Sequence, residues 1–391
     1  MSVASVPVFP ISQSLVDPSK NKLLGEGSRS KVYLANDPES GEPLAVKVCQ
    51  DHDAISRIFR EYSSLKRLED VPGIVKPRSF AVTSTGAELG MELINAPDLQ
   101  TVVVTSPDKV TCEVFGHVIW QGLKTLSQLK SKECVWFDIK PDNTSFDFEK
   151  KVLKIYDGGS CFWPKLETHR DGMTPCYTSP EILLNLPISF STDMWSFGVM
   201  IFCLYTRGAM FDVVTEDQFP EKKLSLNFAE QFGESYLELC GKYFAKVDSN
   251  LTTEKVERIF KSSYFVSTAA EMHSYTGPER DRWFKVPWRE RILLIGKRRS
   301  EGEEAKWLIR FLEKVLVINP ENRITPEQAL ETFFNMKINT QISVSSALSQ
   351  PAPLPLKESQ TSSNQSNSDC NADFVDSILT DPNCSRSEQL F

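Results

Sequence analysis

The sequence has no long hydrophobic run and no excess of positive charge. Its longest apolar stretch, residues 197–205, is too short to cross a bilayer, and residues 1–10 lack the cationic start and apolar core of a signal peptide. The net charge of −8 argues against non-specific nucleic-acid binding as the main task. We therefore expect a soluble intracellular protein, cytoplasmic with a nuclear location left open, whose partners are neither membranes nor nucleic acids.

Paired cysteines are also absent. The nine cysteines are odd in number, scattered and free of a C-x-x-C pair. Such cysteines are typical of buried thiols in a reducing compartment, and they argue against a disulfide framework or a zinc site. The 391 residues, 40% hydrophobic and 25% charged, are enough for a large two-lobed domain and a tail.

The order of the segments predicts an α+β protein. From residue 22 the sequence alternates as strands do, interrupted by residues 54–69, whose apolar positions have helical spacing. After Pro97 helices dominate, as at residues 115–132 and 193–205. A strand-rich part followed by a helix-rich part predicts a bilobal fold, with a small β-rich lobe and a larger helical lobe.

The two ends of the sequence do not fit this pattern. Residues 1–17 show no period, and we expect a flexible arm. Residues 341–391 are rich in Ser, Asn, Gln and Pro, a composition that predicts a disordered tail. Its one apolar island lies within residues 372–381 and is a candidate docking segment for a partner protein.

Three groups of residues suggest a site for phosphate chemistry. Gly25 and Gly27 lie between strand-like segments, where glycines let the backbone approach a phosphate, although G-x-G also occurs in plain hairpins. Lys47 shares a strand face with small apolar residues and needs a counter-charge, which Glu61 can supply from the apolar stripe of the helix at 54–69. The alternatives are a solvated edge-strand lysine and a solvated helix glutamate.

The third group consists of two acids and an amide. Asp138 is followed by Asn143 and, after a short apolar run, by Asp157. This arrangement suits phosphoryl transfer from a magnesium-bound nucleotide, because one acid can orient a hydroxyl while the amide and the other acid hold the metal. Each residue alone could equally belong to an ordinary turn.

Taken in order, these segments resemble the protein kinase family over about residues 20–335. The motifs that carry the resemblance are the Gly-rich loop at Gly25, D-I-K-P-D-N at 138–143, D-G-G at 157–159, T-P-C-Y-T-S-P-E at 174–181, D-M-W-S-F-G at 193–198 and N-P-E-N-R at 319–323. The resemblance implies a kinase domain at 18–340, with an N-lobe at about 18–93 and a C-lobe at about 98–340. It also implies a salt bridge between Arg323 and Glu181.

The resemblance implies a role for each site residue. Asp138 would orient the substrate hydroxyl and accept its proton, and Lys140 would neutralise the γ-phosphate of ATP. Asn143 and Asp157 would bind Mg²⁺. The nucleotide would be held by Gly25, Gly27, Val32, Ala45, the Lys47–Glu61 pair and the hinge Met91, Glu92 and Leu93, with Met91 as gatekeeper.

Some positions depart from the family pattern. H-R-D reads Trp136-Phe137-Asp138, D-F-G reads Asp157-Gly158-Gly159, and Ser30 replaces the third glycine of the Gly-rich loop. We hypothesise that the Trp136 indole fills the space that Gly158 leaves. Without an arginine at 137, phosphorylation of the activation loop need not be the on-switch.

Length is a further departure. The segment from Asp193 to Arg323 is roughly twice as long as in a compact kinase, which predicts an insertion within 212–305 and a docking surface for a partner. The resemblance implies an ATP-dependent serine/threonine kinase acting on a protein substrate. The alternative is a pseudokinase that serves as a nucleotide-binding scaffold or regulator.

Overall fold

The computed structural model describes residues 9–27, 29–51, 53–165, 173–184, 186–213, 220–236, 238–240 and 283–333. The predicted tail at 341–391 and much of the predicted insertion lie outside the described residues. Among the described helices, none is long and apolar enough to span a membrane.

The first lobe is a five-stranded antiparallel sheet. Its strands are β1 (Leu23–Glu26), β2 (Lys31–Asn36), β3 (Pro43–Cys49), β4 (Pro77–Thr83) and β5 (Gly86–Glu92), in the order β1-β2-β3-β5-β4. Residues alternate between the two faces of a strand, so Leu44 and Val46 of β3 pack on the outer face with Tyr33 and Ala35. Lys47 points to the opposite, inner face.

Helix α1 (Ala54–Arg67) covers the inner face of this sheet. Ala54, Ile58 and Leu65 are buried with Leu89 of β5, because their spacing of four and seven residues places them on one side of the helix. The helix ends after Lys66 and Arg67, whose charges favour the C-terminal end of the helix dipole. The predicted helix at 54–69 is confirmed.

The second lobe surrounds one buried helix, α5 (Phe190–Thr206), in which every residue from Ser191 to Thr206 is buried. Its other elements are α2 (Leu99–Thr105), α3 (Cys112–Ser131), β6 (Thr144–Asp147), β7 (Val152–Ile155), α4 (Pro180–Leu183), α6 (Pro220–Phe232), α7 (Trp288–Arg299) and α8 (Gly302–Val315). Helix α3 approaches α5 closely at Gly122, where an added Cβ would lie 2.4 Å from the Phe197 ring. The bilobal α+β fold is confirmed.

A buried ion pair joins two segments of this lobe that are far apart in sequence. The Arg323 guanidinium donates to both carboxylate oxygens of Glu181, at 2.9 and 3.0 Å, and both side chains are 0% exposed. The salt bridge expected between these residues is confirmed. It connects α4 to the segment after α8.

Residues 9–16 differ from the sequence-based expectation, and we call them the N-terminal strap. The predicted flexible arm is wrong for this part of residues 1–17, while residues 1–8 lie outside the described residues. The strap runs along the sheet: Ser12 N–H donates to the Val82 carbonyl at 2.7 Å, and Val16 is buried against the outer face. Single contacts at irregular spacing hold the strap, so its apolar residues show neither helical nor strand periodicity in the sequence.

Candidate active site

Lys47 joins two carboxylates from different parts of the chain. Its Nζ lies 2.8 Å from Glu61 Oε2 and 2.7 Å from Asp157 Oδ1. Strand β3 presents the lysine, α1 presents Glu61, and the turn after β7 presents Asp157. We call these residues the Lys47 triad; the pairing of Lys47 with Glu61 predicted from the sequence is confirmed as a contact.

The charges of the Lys47 triad depend on one another. Burial disfavours the charged form of Lys47, but the two carboxylates outweigh it and raise the lysine pKa. Burial raises the pKa of Glu61, whereas at Asp157 the nearby lysine overcomes burial and lowers the pKa. The Asp157 side chain is 47% exposed, so this carboxylate is both paired and open to solvent.

Asp138 is held by a second network. Its Oδ1 accepts from the Thr174 hydroxyl at 2.8 Å, and its Oδ2 lies 3.0 Å from Lys140 Nζ. Lys140 also donates to the Thr174 hydroxyl at 2.7 Å. Burial lowers the pKa of Lys140, but the charge and hydrogen bond of Asp138, together with the charges of Asp142 and Asp157, outweigh burial and raise it. Thr174 was not among the site residues chosen from the sequence; its position before Pro175 was the one available signal.

Asn143 lies beside Asp138 and bonds to it through its amide nitrogen. Its Nδ2 donates to Asp138 Oδ2 at 2.9 Å and to the Asp138 carbonyl at 3.0 Å. Because these bonds engage the nitrogen, Oδ1 is the atom of this side chain that could bind a metal. Within the described residues, no group of three or more His, Cys, Asp or Glu side chains could hold a metal by itself.

The backbone around Asp138 is fixed by a buried carboxylate. Asp193 of α5 accepts from the N–H groups of Trp136 and Phe137, at 2.7 and 2.8 Å. Burial raises the pKa of Asp193 to about 7, against the opposing effect of these two donors. Phe137 has a φ of 77°, a left-handed conformation that costs about 1–3 kcal/mol in a residue other than glycine. The Asp193 bonds hold this turn and so fix the direction of Asp138.

An apolar cluster occupies the position where the kinase pattern has an arginine. The Phe137 ring packs edge-on to Phe162, with ring centroids 5.4 Å apart. Val135 and Phe162 exchange backbone hydrogen bonds of 2.9 and 3.0 Å. The cluster consists of Val135, Phe137 and Phe162 with Met173, Ile182 and Ile188 around them.

The Trp136 indole lies beside Gly158. A Cβ added to Gly158 would lie 3.1 Å from Trp136 Cη2 and 3.1 Å from Leu65 Cδ2. Trp136 is 0% exposed, so the indole fills this space between α1 and the turn that follows β7. This is the packing that our hypothesis for the two substitutions requires.

The remaining predicted residues lie along the sheet. Gly25 lies within β1, next to its last residue, and the Gly27 N–H donates to the Ser30 carbonyl at 2.8 Å, closing a tight turn. Val32 is opposite Lys47. Ala45 is opposite Met91 of β5, and the Met91 side chain is buried.

The predicted hinge residues Glu92 and Leu93 lie at the end of β5. Glu92 accepts from Lys154 Nζ at 2.5 Å and from the Lys76 N–H at 2.9 Å, while Leu93 is half-buried. The bond from Lys154 connects the end of the sheet to β7 of the second lobe.

The family model for the protein kinase domain matches residues 19–334. The chain therefore belongs to the protein kinase family. It is 31% identical over 205 residues to the CBL-interacting serine/threonine-protein kinase 7 of Arabidopsis thaliana, covering 48% of this chain and 46% of that protein. The match to the CBL-interacting protein kinase 9 of Oryza sativa subsp. japonica is 28% over 204 residues, 49% of this chain and 44% of that protein.

A longer match is to the serine/threonine-protein kinase prp4 of Schizosaccharomyces pombe. It is 24% identical over 330 residues, 80% of this chain and 65% of that protein. The chain thus spans about half the length of the CBL-interacting relatives and about two thirds of prp4. Two of these three relatives are serine/threonine-protein kinases by name, and the protein from Oryza sativa is named a protein kinase.

Proposed function

We propose that this protein transfers the γ-phosphoryl group of ATP to a serine or threonine hydroxyl of a protein substrate. The observation that carries the proposal is the network at Asp138, in which one carboxylate meets both Thr174 and Lys140. Phosphoryl transfer depends mainly on positioning and electrostatics, and this network positions a base and a cation together.

Asp138, Lys140 and Lys47 would each have a separate role in the transfer. Asp138 would orient the substrate hydroxyl and take its proton. Lys140, 3.0 Å from Asp138, would hold the negative charge of the transferred group. Lys47, fixed by Glu61, would bind the phosphates that remain on the nucleotide. The choice of substrate class is supported by Lys140 and Thr174-Pro175, which resemble serine/threonine rather than tyrosine kinases. The Thr174 hydroxyl bridges Asp138 and Lys140 and thereby fixes both groups.

The donor atoms at Asn143 and Asp157 fit a magnesium ion. Mg²⁺ is usually bound by one or two protein oxygens together with phosphates and water, so a dedicated cluster of acids is not needed. Asn143 offers Oδ1, and Asp157 offers a half-exposed carboxylate whose other oxygen is held by Lys47. When bound, the metal would neutralise charge on the phosphates.

A second function is favoured by specific residues. Gly158 and Gly159 leave the metal-binding turn without the usual phenylalanine, and Ser30 replaces a glycine over the phosphates. A pseudokinase that binds nucleotide or a partner protein without turnover would tolerate both changes. The candidate docking regions, within 212–305 and at 372–381, apply to either function.

The test is transfer of labelled phosphate from Mg-ATP to a generic protein substrate. Asp138→Asn removes the proton acceptor and should lower the rate by about a hundredfold or more. Equal incorporation by the wild type and Asp138→Asn would point to a contaminating kinase and favour the pseudokinase. A thermal-shift titration with ATP, with and without Mg²⁺, tests the metal site separately, since Asp157→Asn should abolish the magnesium-dependent part of the shift.

A further inference from the structure

The N-terminal strap wraps around an edge of the sheet. Leu15 and Val16 pack on the outer face, away from α1. The strap then runs beside β4, the edge strand, where Ile11 pairs in parallel with Val82. An edge strand offers unpaired backbone groups, and the strap covers them. The chain thereby passes from the outer face of the sheet to the side that α1 occupies.

A buried carboxylate anchors the strap. Glu88 of β5 is 2% exposed, and its two oxygens accept from the Ser14 hydroxyl and from the Leu15 N–H, the latter at 2.9 Å. A buried carboxylate without such donors would be costly. Glu88 therefore fixes the position of residues 14 and 15 on the sheet.

The far end of the strap contacts α1 through an aromatic cluster. The Phe9 ring lies 4.9 Å from Phe59 of α1 and 5.0 Å from Phe80 of β4, between centroids. Phe59 and Phe80 are 5.4 Å apart, and Tyr62 of α1 is 5.7 Å from Phe80. Phe9 thus fills the gap between the helix and the edge strand.

These contacts lie next to Glu61. Phe59 and Tyr62 flank Glu61 on α1, so a shift of the helix at Phe59 moves Glu61 relative to Lys47. The 2.8 Å contact between Lys47 Nζ and Glu61 Oε2 leaves little room for such movement. We propose that the N-terminal strap, through Phe9, positions α1 so that Glu61 holds Lys47 for nucleotide binding. Phe9 is then a positioning residue, and its effect on phosphoryl transfer rests on the proposed function.

The test compares Phe9→Ala with Ile11→Ala in the full chain. The control is matched, because Ile11 is an apolar residue of the same strap whose side chain is 74% exposed and whose pairing uses only its backbone. Phe9→Ala should speed hydrogen exchange of the α1 amides and raise the KM for Mg-ATP, each by about tenfold, the factor expected for losing two aromatic pairs. Ile11→Ala should change neither. Phe9→Leu, which keeps apolar volume, should fall between.

A double-mutant cycle separates positioning from general stability. In a Glu61→Gln background Phe9→Ala should still speed α1 exchange, but it should not raise the KM further, because the residue it acts through is already lost. Additive effects on KM would overturn the proposal. The proposal would also be overturned if Phe9→Ala lowered the melting temperature but left hydrogen exchange of the α1 amides unchanged.

The two proposals fail in different ways. A wild-type chain without transfer activity would refute the proposed kinase function. In that case calorimetric binding of Mg-ATP, compared between Phe9→Ala and Ile11→Ala, still decides the role of the strap. Equal binding by both variants would overturn it.

Discussion

Replacing Trp136 with histidine should destabilise the protein at the contact with Gly158. The atoms nearest to Gly158, Cη2 and Cζ3, belong to the six-membered ring that histidine lacks. Removing them leaves a cavity between Gly158 and Leu65. Truncating a buried tryptophan to alanine costs about 3–5 kcal/mol, and histidine keeps part of the ring.

The polar nitrogens do not offset the loss. The Trp136 Nε1–H is buried without a hydrogen-bond partner among the described residues, and histidine brings an N–H donor and an acceptor nitrogen of its own to the same buried position. The expected loss in the free energy of unfolding is therefore about 2–4 kcal/mol, lower than for truncation to alanine only because histidine keeps part of the ring. Urea unfolding measures it as a lower midpoint with an unchanged m-value.

Gly158→Phe supplies the complementary perturbation. Alone it forces a ring against Trp136, where even a Cβ would have 3.1 Å of room, and it should cost about 1–3 kcal/mol. The double variant Trp136→His with Gly158→Phe should be more stable than the sum of the two single losses predicts, by a coupling free energy of at least about 1 kcal/mol. An unchanged midpoint for Trp136→His, or strict additivity in the double variant, would refute the packing explanation.

Three further outcomes are expected. Lys47→Met removes the cation of the Lys47 triad and should lower phosphoryl transfer by about a hundredfold or more, as measured by labelled phosphate incorporation; a wild-type rate would contradict its role. Arg323→Met leaves the Glu181 carboxylate buried without its cation, so the free energy of unfolding measured in urea should fall by about 3–5 kcal/mol. The double variant with Glu181→Met should regain part of this stability, and a double variant no more stable than Arg323→Met would contradict the pairing. Glu327 is partly desolvated, but hydrogen bonds from Lys130, Thr325, Ser127 and its own backbone together outweigh this and lower its pKa from 4.5 to about 2. The contribution of Glu327 to stability is therefore present above pH 4.5 and is lost as the pH falls towards 2. The effect is small because the Glu327 side chain is 46% exposed. Glu327→Gln should make the urea midpoint fall less steeply between pH 4.5 and 2, and an unchanged slope would argue against the Lys130–Glu327 pair.

Local pattern made Lys47 and Glu61 candidate partners, and the resemblance to kinases favoured their pairing over a solvated lysine and a solvated glutamate. Strand alternation placed Lys47 on the inner face, and helical spacing placed Glu61 opposite it. Arg323 and Glu181 are far apart in sequence, and their pairing could be predicted only through the resemblance to kinases. The fold class followed from the order of strands and helices.

Other contacts have no local pattern. Phe9 lies in an aperiodic segment, and its contacts with Phe59 and Phe80 depend on how the chain turns around β4. The bond from Thr174 to Asp138 and the two bonds accepted by Asp193 likewise depend on tertiary packing. These contacts are single hydrogen bonds or ring pairs, which composition and periodicity do not encode.

The Phe137 cluster determines how the loop that carries Asp138 should respond to salt and temperature. An arginine at this position would respond to salt and to added phosphate, since both act on charge. Phe137, Phe162 and their neighbours are instead held by apolar contact, which ionic strength scarcely screens and which weakens as the temperature falls. The segment that begins at Met173 is thus tied to the loop that carries Asp138 by apolar contacts that cooling, rather than a change in phosphorylation, would weaken.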